Sequence, residues 1–514
     1  MAVKTFAAID VGSYELALKI FEVSKSRGMR EIDHIRYSID MGTQTYITGK
    51  LSHDRVDELC RVLREFSDVM LAYQVEDYRA YGTSAIRECQ NRSILLDQIR
   101  QKTGIHIEVL SNSEQRFLDY KSIAFQGEVF QKIIENATAI VDIGGGSIQI
   151  SLFDKDALVS TQNLRLGVLR MQERIHHLDA SISQYDVLIN EMVESQMVVY
   201  KKLYLKDREI RNIIVVDDYI SGLVKQGKVG NQMRGYADRA LIQRFLQTCH
   251  TKSFAELARL LDMPEESMPL LYISLILLQR VMDTMGAEQI WVPGVTLCDG
   301  IAYEYAEEKG ILTSGHDFER DIIACSKNIS KRYMGSKKRG ETLEQIALRI
   351  FDSMKKVHGL GKRERLLLQL STILHDCGKY ISMVNLGECS YSIIMATEII
   401  GLSHLEREIV ANVVKYNHIE FDSYEAMGKI GALDEEAYLR IAKLTAILRL
   451  ANGLDRSHKQ KFKNVRITMK EEKLVITVDS NADITLEKGL FDDRADFFEE
   501  VYSVKPVIRQ KRTL

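Results

Sequence analysis

The chain has 514 residues, too many for one hydrophobic core, and about three or four domains follow from that length. Apolar content of 45%, charged content of 27% and a net charge of −3 describe an ordinary globular protein with no global pull toward nucleic acid or anionic membrane, so any anion site must be built locally. Seven cysteines, an odd number with no C-x-x-C pair, favour free thiols in a reducing compartment over a disulfide framework.

The opening "MAVKTFAAID" enters a strand at once, without a signal-peptide pattern, and a cytoplasmic location is the expectation. "TFAAIDVGSYELALKIFEV" (5–23) and "ATAIVDIGGGSIQISLFDK" (137–155) share one plan: an apolar strand, a D-x-G turn, then an alternating strand. The copies begin about 130 residues apart, a domain-sized interval that predicts two similar α/β lobes facing each other. Between them, "DRVDELCRVLREFSDVML" has helical spacing, "DYRAYGTSAIREC" reads as a strand leading into a helix, and "IHIEVL" reads as a strand. Beyond the second copy come a helical 172–207, the strand "NIIVV" (212–216), a helical 237–284 and the strand "QIWVPG" (289–294). The apolar run "LLYISLILL" (270–278) is about half a membrane span and reads as a core helix, so no membrane association is expected.

Past residue 310 the pattern turns helical. "ETLEQIALRIFDSMKKVH" (341–358) places Leu343, Ile346, Ala347, Ile350, Phe351 and Met354 on one stripe. Helical spacing continues to about residue 458, and "NVRITMKEEKLVITVDS" (464–480) then alternates as a hairpin. The expected division is an α/β lobe over 1–125, a second over 126–308, an all-helical domain over 309–460 and a small α+β tail over 461–514.

Glycines after a strand let backbone N–H groups approach phosphate oxygens, so each D-x-G turn is a candidate anion nest. Asp10 and Asp142, one per turn, are positioned to hold Mg²⁺, a hard cation that prefers oxygen ligands. In order along the chain, "AAIDVGS", "YGTSAIRE", "IEVLSNSEQRF", "AIVDIGGGSIQI" and "LRLGVLRM" resemble the motifs of the exopolyphosphatase/guanosine pentaphosphate phosphatase (Ppx/GppA) family. That resemblance runs from about residue 5 to 305. It implies duplicated actin-like ATPase (ribonuclease H-like) lobes and Mg²⁺-dependent release of terminal phosphate from inorganic polyphosphate or guanosine pentaphosphate.

Carried over residue by residue, the resemblance makes Glu114 the general base and Arg87 the arginine that faces the phosphate. Gly12, Ser13, Gly144, Gly145, Gly146 and Ser147 become the phosphate cradle, with Asp10, Asp142 and Gln149 at the metal. Taken alone, Glu114 just after Asn112 and Ser113 reads as a helix cap. The family also implies a homodimer.

Three positions depart from the family pattern. Tyr14 follows Ser13 where the family has Asn, and Ile148 with Gln149 replace Thr and Glu. "VDDYISGL" (216–223), carrying Asp217 and Asp218, stands where a glycine-rich turn is usual. An amide at 149 loses a negative charge, and if that charge positioned metal or water the loss is roughly 10²–10⁴-fold in rate. A polyphosphate- or alarmone-binding regulator with a weakened site is therefore the alternative. An actin-fold kinase would need an adenosine pocket that "VDDYISGL" does not resemble.

In the helical region "LHDCGK" and "LRLANGLD" resemble a degenerate HD-type domain, with His375, Asp376 and Asp455 as its skeleton. Its metal shell calls for an earlier histidine, which "KKRGETLEQIALRIFD" lacks, and Cys389 stands where His is frequent. His358 and His418 are the available substitutes, but a structural role for this group is the expectation. The basic stretch 326–341 offers a path for a polyanion, whereas "SHKQKFK" (457–463) and "VIRQKRTL" (507–514) add further charge, the latter as a solvated tail. No aromatic-interleaved basic platform accompanies them, and nucleic acid is not an expected partner.

Overall fold

The computed structural model describes residues 3–155, 157–178, 184–225, 235–313, 315–428, 433–462 and 465–511. They form two compact units, Met1–Phe318 and Glu319–Leu514. Residues 179–183 of the expected helical stretch 172–207, Lys463, Asn464 and the last three residues of the basic tail lie outside the described residues.

The first unit is built on two sheets. One contains β1 (Lys4–Val11), β2 (Glu15–Ser24), β3 (Gly28–Ser38), β4 (Asp77–Gly82) and β5 (Ile107–Val109) in the order β3-β2-β1-β4-β5. The other contains β6 (Thr138–Ile143), β7 (Ile148–Asp154), β8 (Ala157–Leu164), β9 (Asn212–Val216), β10 (Tyr236–Asp238) and β11 (Gln289–Trp291) in the order β10-β11-β9-β6-β7-β8. In each, a hairpin leads into a third antiparallel strand on one side and parallel strands continue on the other. The repeat read from the two D-x-G turns is therefore a repeat of whole-sheet topology.

Strand alternation decides which core each residue feeds. Ala7, Ile9 and Val11 of β1 point into a cluster with Leu59, Leu63 and Phe66 of the helix His53–Ala72. Phe6 and Ala8 point the opposite way, into a cluster with Leu297, Ile301 and Tyr305 of the helix Leu297–Glu308. Phe6 stacks on Tyr305 with ring centroids 4.0 Å apart. Lys19, only 4% exposed, pairs with Asp299 at 2.9 Å and fastens the same helix to β2. The helix Leu297–Glu308, expected within the second lobe (126–308), thus packs on the first sheet, because the chain returns from the second lobe to complete the first. The apolar helix Met268–Met285 fills the second lobe's core. The segment Glu265–Met285 is long and apolar enough to cross a membrane, but 72% of its most apolar window is buried inside the protein.

In the second unit the helix Lys337–Ser353 carries the expected stripe, with Leu343, Ile346, Ala347, Ile350 and Phe351 buried. β12 (Val465–Lys470) and β13 (Lys473–Asp479) make the expected hairpin. β14 (Lys505–Lys511) then pairs parallel to β13, after the helix Asp492–Tyr502 as crossover. The expected solvated basic tail is thus a strand through Lys511. The helix Asp492–Tyr502 packs on Glu435–Leu454 and β12 packs on Lys337–Ser353, so the tail and the helical region form one unit. All seven cysteines are free.

Where the helices Asn112–Ala124 and Leu297–Glu308 meet, a Cβ on Gly300 would lie 2.2 Å from the Leu118 carbonyl oxygen. Backbone cannot yield to that contact as a flexible side chain can. Gly300→Ala is expected to lower the stability of the first unit by about 1–3 kcal/mol in denaturant unfolding. An unchanged midpoint would show that the two helices do not approach this closely.

Candidate functional site

The two D-x-G turns are closed by the same hydrogen bond. Gly12 N–H donates to the Glu15 carbonyl at 3.0 Å, and Gly144 N–H donates to the Ser147 carbonyl at 3.0 Å. Across the hairpins, Asp10 stands opposite Ala17 and Asp142 stands opposite Gln149. The fold brings the turns against each other: a Cβ on Gly145 would lie 3.1 Å from Ser13 Cβ, and one on Gly146 would lie 2.5 Å from the Tyr46 hydroxyl. Ser13, Ser84 and Tyr46 close a triangle of hydroxyls, at 2.7 Å for Ser13–Ser84, 2.9 Å for Ser13–Tyr46 and 2.7 Å for Tyr46–Ser84. Burial pushes the Tyr46 phenol up, so it stays a neutral donor.

The helix Val168–His177 pins the second turn from behind. Its first N–H groups donate to Gly144 and Gly145 carbonyls at 3.1 and 3.0 Å. Gly167 permits this approach, since a Cβ there would stand 2.3 Å from the Gly145 oxygen and the Gly146–Ser147 peptide. Arg170 then donates from Nε to the Gly146 carbonyl at 2.7 Å, stacks 4.1 Å from the Tyr46 ring and pairs with Glu88 of the first lobe.

Between the turns lies a cleft of about 110 Å³. Asp10, Gly12, Ser13, Arg87, Asp142, Gly144, Gly145, Gly146, Ser147 and Gln149 all line it. Glu114 is not among the lining residues. It sits in a capping box on the helix Asn112–Ala124, where its carboxylate accepts the Ser111 N–H at 2.9 Å and Ser111 Oγ accepts the Glu114 N–H at 3.2 Å. The next residue, Gln115, lines the cleft instead, and so does Asp119 one helical turn further on. Sequence reasoning missed Gln115, Asp119, Thr83, Ser84 and Thr296; the i, i+4 spacing of Gln115 and Asp119 was the available signal.

The departures from the family pattern acquire positions. Tyr14 does not line the cleft: it packs against the second lobe's core, with its ring 6.4 Å from Tyr219. Asp217 lines the cleft, but its Oδ1 caps the Ile220 N–H at 2.5 Å and its Oδ2 accepts from Ser274 at 2.6 Å. Two donors thus offset the Asp217 charge that would repel a phosphate; the Asp218 side chain lies outside the described residues. Gln149 is 3% exposed, and its Oε1 accepts from Arg116 Nε at 2.8 Å while Arg116 also donates to Thr161. Arg87 donates to the Leu110 carbonyl at 2.6 Å and approaches Gln115 Oε1 at 3.5 Å. Two amides therefore line the cleft with their oxygens turned to guanidinium groups.

Asp10, Asp119, Asp142 and Asp217 outnumber the guanidinium of Arg87 in the lining. A polyanion entering such a cleft would meet net negative charge unless a cation offset the carboxylates. Among the described residues no three His, Cys, Asp or Glu side chains converge as a ready-made metal shell.

The second candidate group lies in the C-terminal unit. His375 and Asp376 are adjacent, with Nε2 3.7 Å from Asp376 Oδ2. His418 donates from Nε2 to the His375 carbonyl at 2.7 Å. His358 lies apart as a helix stop, bonded to the Phe351 carbonyl at 3.0 Å and accepting the Leu360 N–H at 2.9 Å. Asp455 ends the helix Glu435–Leu454 and is 1% exposed.

Residues 20–309 match the family described as Ppx/GppA phosphatase family, and residues 324–495 match Ppx/GppA phosphatase, domain III. Over 488 residues the chain is 20% identical to a guanosine-5'-triphosphate,3'-diphosphate pyrophosphatase of Photobacterium profundum, a span of 92% of this chain and 91% of that protein. Over 144 residues it is 23% identical to exopolyphosphatase 1 of Mycobacterium bovis, 28% of this chain and 40% of that one. Its fold resembles that of a solved exopolyphosphatase from Cytophaga hutchinsonii, with a TM-score of 0.52 at 19% identity over 60% of this chain and 99% of that one. The two lobes are those of the actin-like ATPase fold.

Gly167→Ala is expected to displace the second turn, because every atom its methyl would meet is backbone. The cost is about 3 kcal/mol by comparison with other overpacked sites, and phosphate affinity should fall with it. Unfolding and calorimetry with inorganic phosphate read the two effects; wild-type values for both would refute the role given to this approach.

Proposed function

Because the chain belongs to the Ppx/GppA phosphatase family, we propose that it hydrolyses phosphoanhydride bonds, releasing terminal phosphate from inorganic polyphosphate and also from guanosine pentaphosphate. The observation that carries this reading is the meeting of two identically closed D-x-G turns over one acidic cleft. Backbone N–H groups and the Ser13 and Ser84 hydroxyls suit phosphate oxygens. Asp10 and Asp142, at equivalent hairpin positions, suit Mg²⁺, which takes one or two carboxylates and otherwise keeps water and substrate oxygens. The bound ion would offset the charge of the phosphate chain. Arg87 would steady the terminal phosphoryl group, its planar donor fork matching the oxyanion.

The base is the point where the sequence assignment moves. Glu114 is spent on a helix cap, and the carboxylate that the same helix presents to the cleft is Asp119, 5% exposed. We assign Asp119 the task of orienting the attacking water and accepting its proton. Catalysis would otherwise rest on positioning and charge, as in phosphoryl transfer generally.

Gln115 and Gln149 favour a second reading, a polyphosphate- or guanosine pentaphosphate-binding protein with little turnover. At both positions a carboxylate would add charge beside an arginine, and an amide supplies none.

Phosphate release from long-chain polyphosphate with Mg²⁺ separates these readings. Asp119→Asn is expected to lower the rate by about 10²-fold or more, while Glu114→Gln, which preserves the cap, stays near wild type. Equal rates for wild type and Asp119→Asn would remove Asp119 from the chemistry. Gln149→Glu, whose carboxylate would face Arg116, should raise turnover by about 10-fold. Micromolar binding by calorimetry with no release over hours would establish the second reading.

A further inference from the structure

The C-terminal unit holds buried polar groups that the cleft chemistry does not use. His375, Asp376, Asp455 and Arg339 are 0%, 3%, 1% and 7% exposed. His375 Nδ1 lies 2.8 Å from the Thr372 carbonyl, which can only accept, so Nδ1 carries the proton and Nε2 a bare lone pair. That Nε2, Asp376 Oδ1 and Asp455 Oδ2 have no hydrogen-bond partner among the described residues. One imidazole nitrogen and two carboxylate oxygens are donor types that suit a divalent transition metal, and an HD-type skeleton implies such an ion.

The residues present do not fit it. Among the described residues no group of three His, Cys, Asp or Glu is arranged to hold a metal. The helix Lys337–Ser353, from which a further histidine would come, instead turns Arg339 inward. Its Nη2 donates to Asn452 Oδ1 at 2.6 Å, and Asn452 in turn donates to Asn417 at 3.3 Å, which fixes the guanidinium plane. Burial is the largest influence on that guanidinium and disfavours its charge, Asp455 and Asp376 favour it, and the Ser336 N–H, three residues before Arg339, donates to Asp376 Oδ2 at 3.3 Å. Lys379 Nζ stands 3.6 Å from Asp376 Oδ2 and brings a second positive charge. Arg456 adds a third positive charge to that field, so the two carboxylates are already outweighed around a neutral imidazole. A divalent ion added to that balance would be a buried charge without compensation.

We propose that Arg339 is the resident cation of this cluster, a guanidinium that takes the electrostatic place of a divalent metal. The C-terminal unit then carries a resident guanidinium among its buried carboxylates and is not a second hydrolytic centre. Guanidinium stays protonated and cannot dissociate, so the unit's stability is independent of metal supply.

The test uses the full chain after dialysis against Mn²⁺ and removal of free ion. Wild type and Asp376→Asn are expected to retain equal Mn²⁺ per chain by elemental analysis, and EDTA should leave the melting of the wild-type C-terminal unit unmoved. One extra equivalent in the wild type, or an EDTA-sensitive transition, overturns the proposal. Arg339→Ala strands two buried carboxylates and should lower melting by about 5–10 °C. Arg339→His offers a fourth donor in the guanidinium's place and should gain one Mn²⁺ per chain. If Arg339→Ala melts like the wild type, or Arg339→His gains no ion, the guanidinium does not hold the cation's place.

Discussion

The N-terminal cleft depends on a place where no side chain can stand. At Gly167 the backbone passes so close to the Gly145–Ser147 segment that a methyl group would overlap three of its atoms. Bare backbone there lets the helix Val168–His177 spend its first N–H groups on the carbonyls of the glycine turn. Turn carbonyls held from behind leave the opposite edge facing the first lobe, where Ser13 and Tyr46 meet Gly145 and Gly146. Arg170, three residues into the same segment, fastens both lobes by touching Gly146, Tyr46 and Glu88 together. Cradle and lobe closure are thus consequences of one close approach.

Within that frame the chemistry is shaped by arginine–amide contacts. Arg116 and Arg87 each turn toward a glutamine oxygen where a carboxylate would otherwise form an ion pair. A guanidinium–amide bond keeps the geometry of such a pair while leaving the net charge of the cleft more positive. A polyanion meets less repulsion there, but a water molecule finds fewer bases. Affinity and turnover are therefore pulled in opposite directions by the same two side chains. Of the remaining carboxylates Asp217 is held by its two donors, and on the proposed mechanism Asp10, Asp119 and Asp142 would decide how far turnover survives.

The legibility of the sequence followed how local each feature is. Asp10, Gly12, Asp142 and the Gly144–Ser147 run could be read because strand, turn and glycine are contiguous, and all of them line the cleft. The choice between Glu114 and Gln115 could not, because successive helical residues point about 100° apart and a motif does not state the helix's rotation. In the structure the capping box of Ser111 and Glu114 sets that rotation. Arg339 sits in the basic run 326–341, which reads as a path for a polyanion, and the carboxylates whose charge reaches it, Asp376 and Asp455, lie far from it along the chain. β14 was hidden for a related reason: its charged residues alternate with Val507 and Ile508 weakly, and only the neighbouring β13 makes it a strand.

The stacking of Phe6 on Tyr305 bears on how the protein is made. Phe6 and Ala8 are synthesised before the helix that covers them, Leu297–Glu308, which follows the second lobe's strands along the chain. During elongation one face of the first sheet must stay uncovered while nearly three hundred further residues appear. Closing so long a loop adds little entropy beyond a shorter one, but it delays burial. The nascent first lobe is therefore the stage at which this chain has most need of a chaperone.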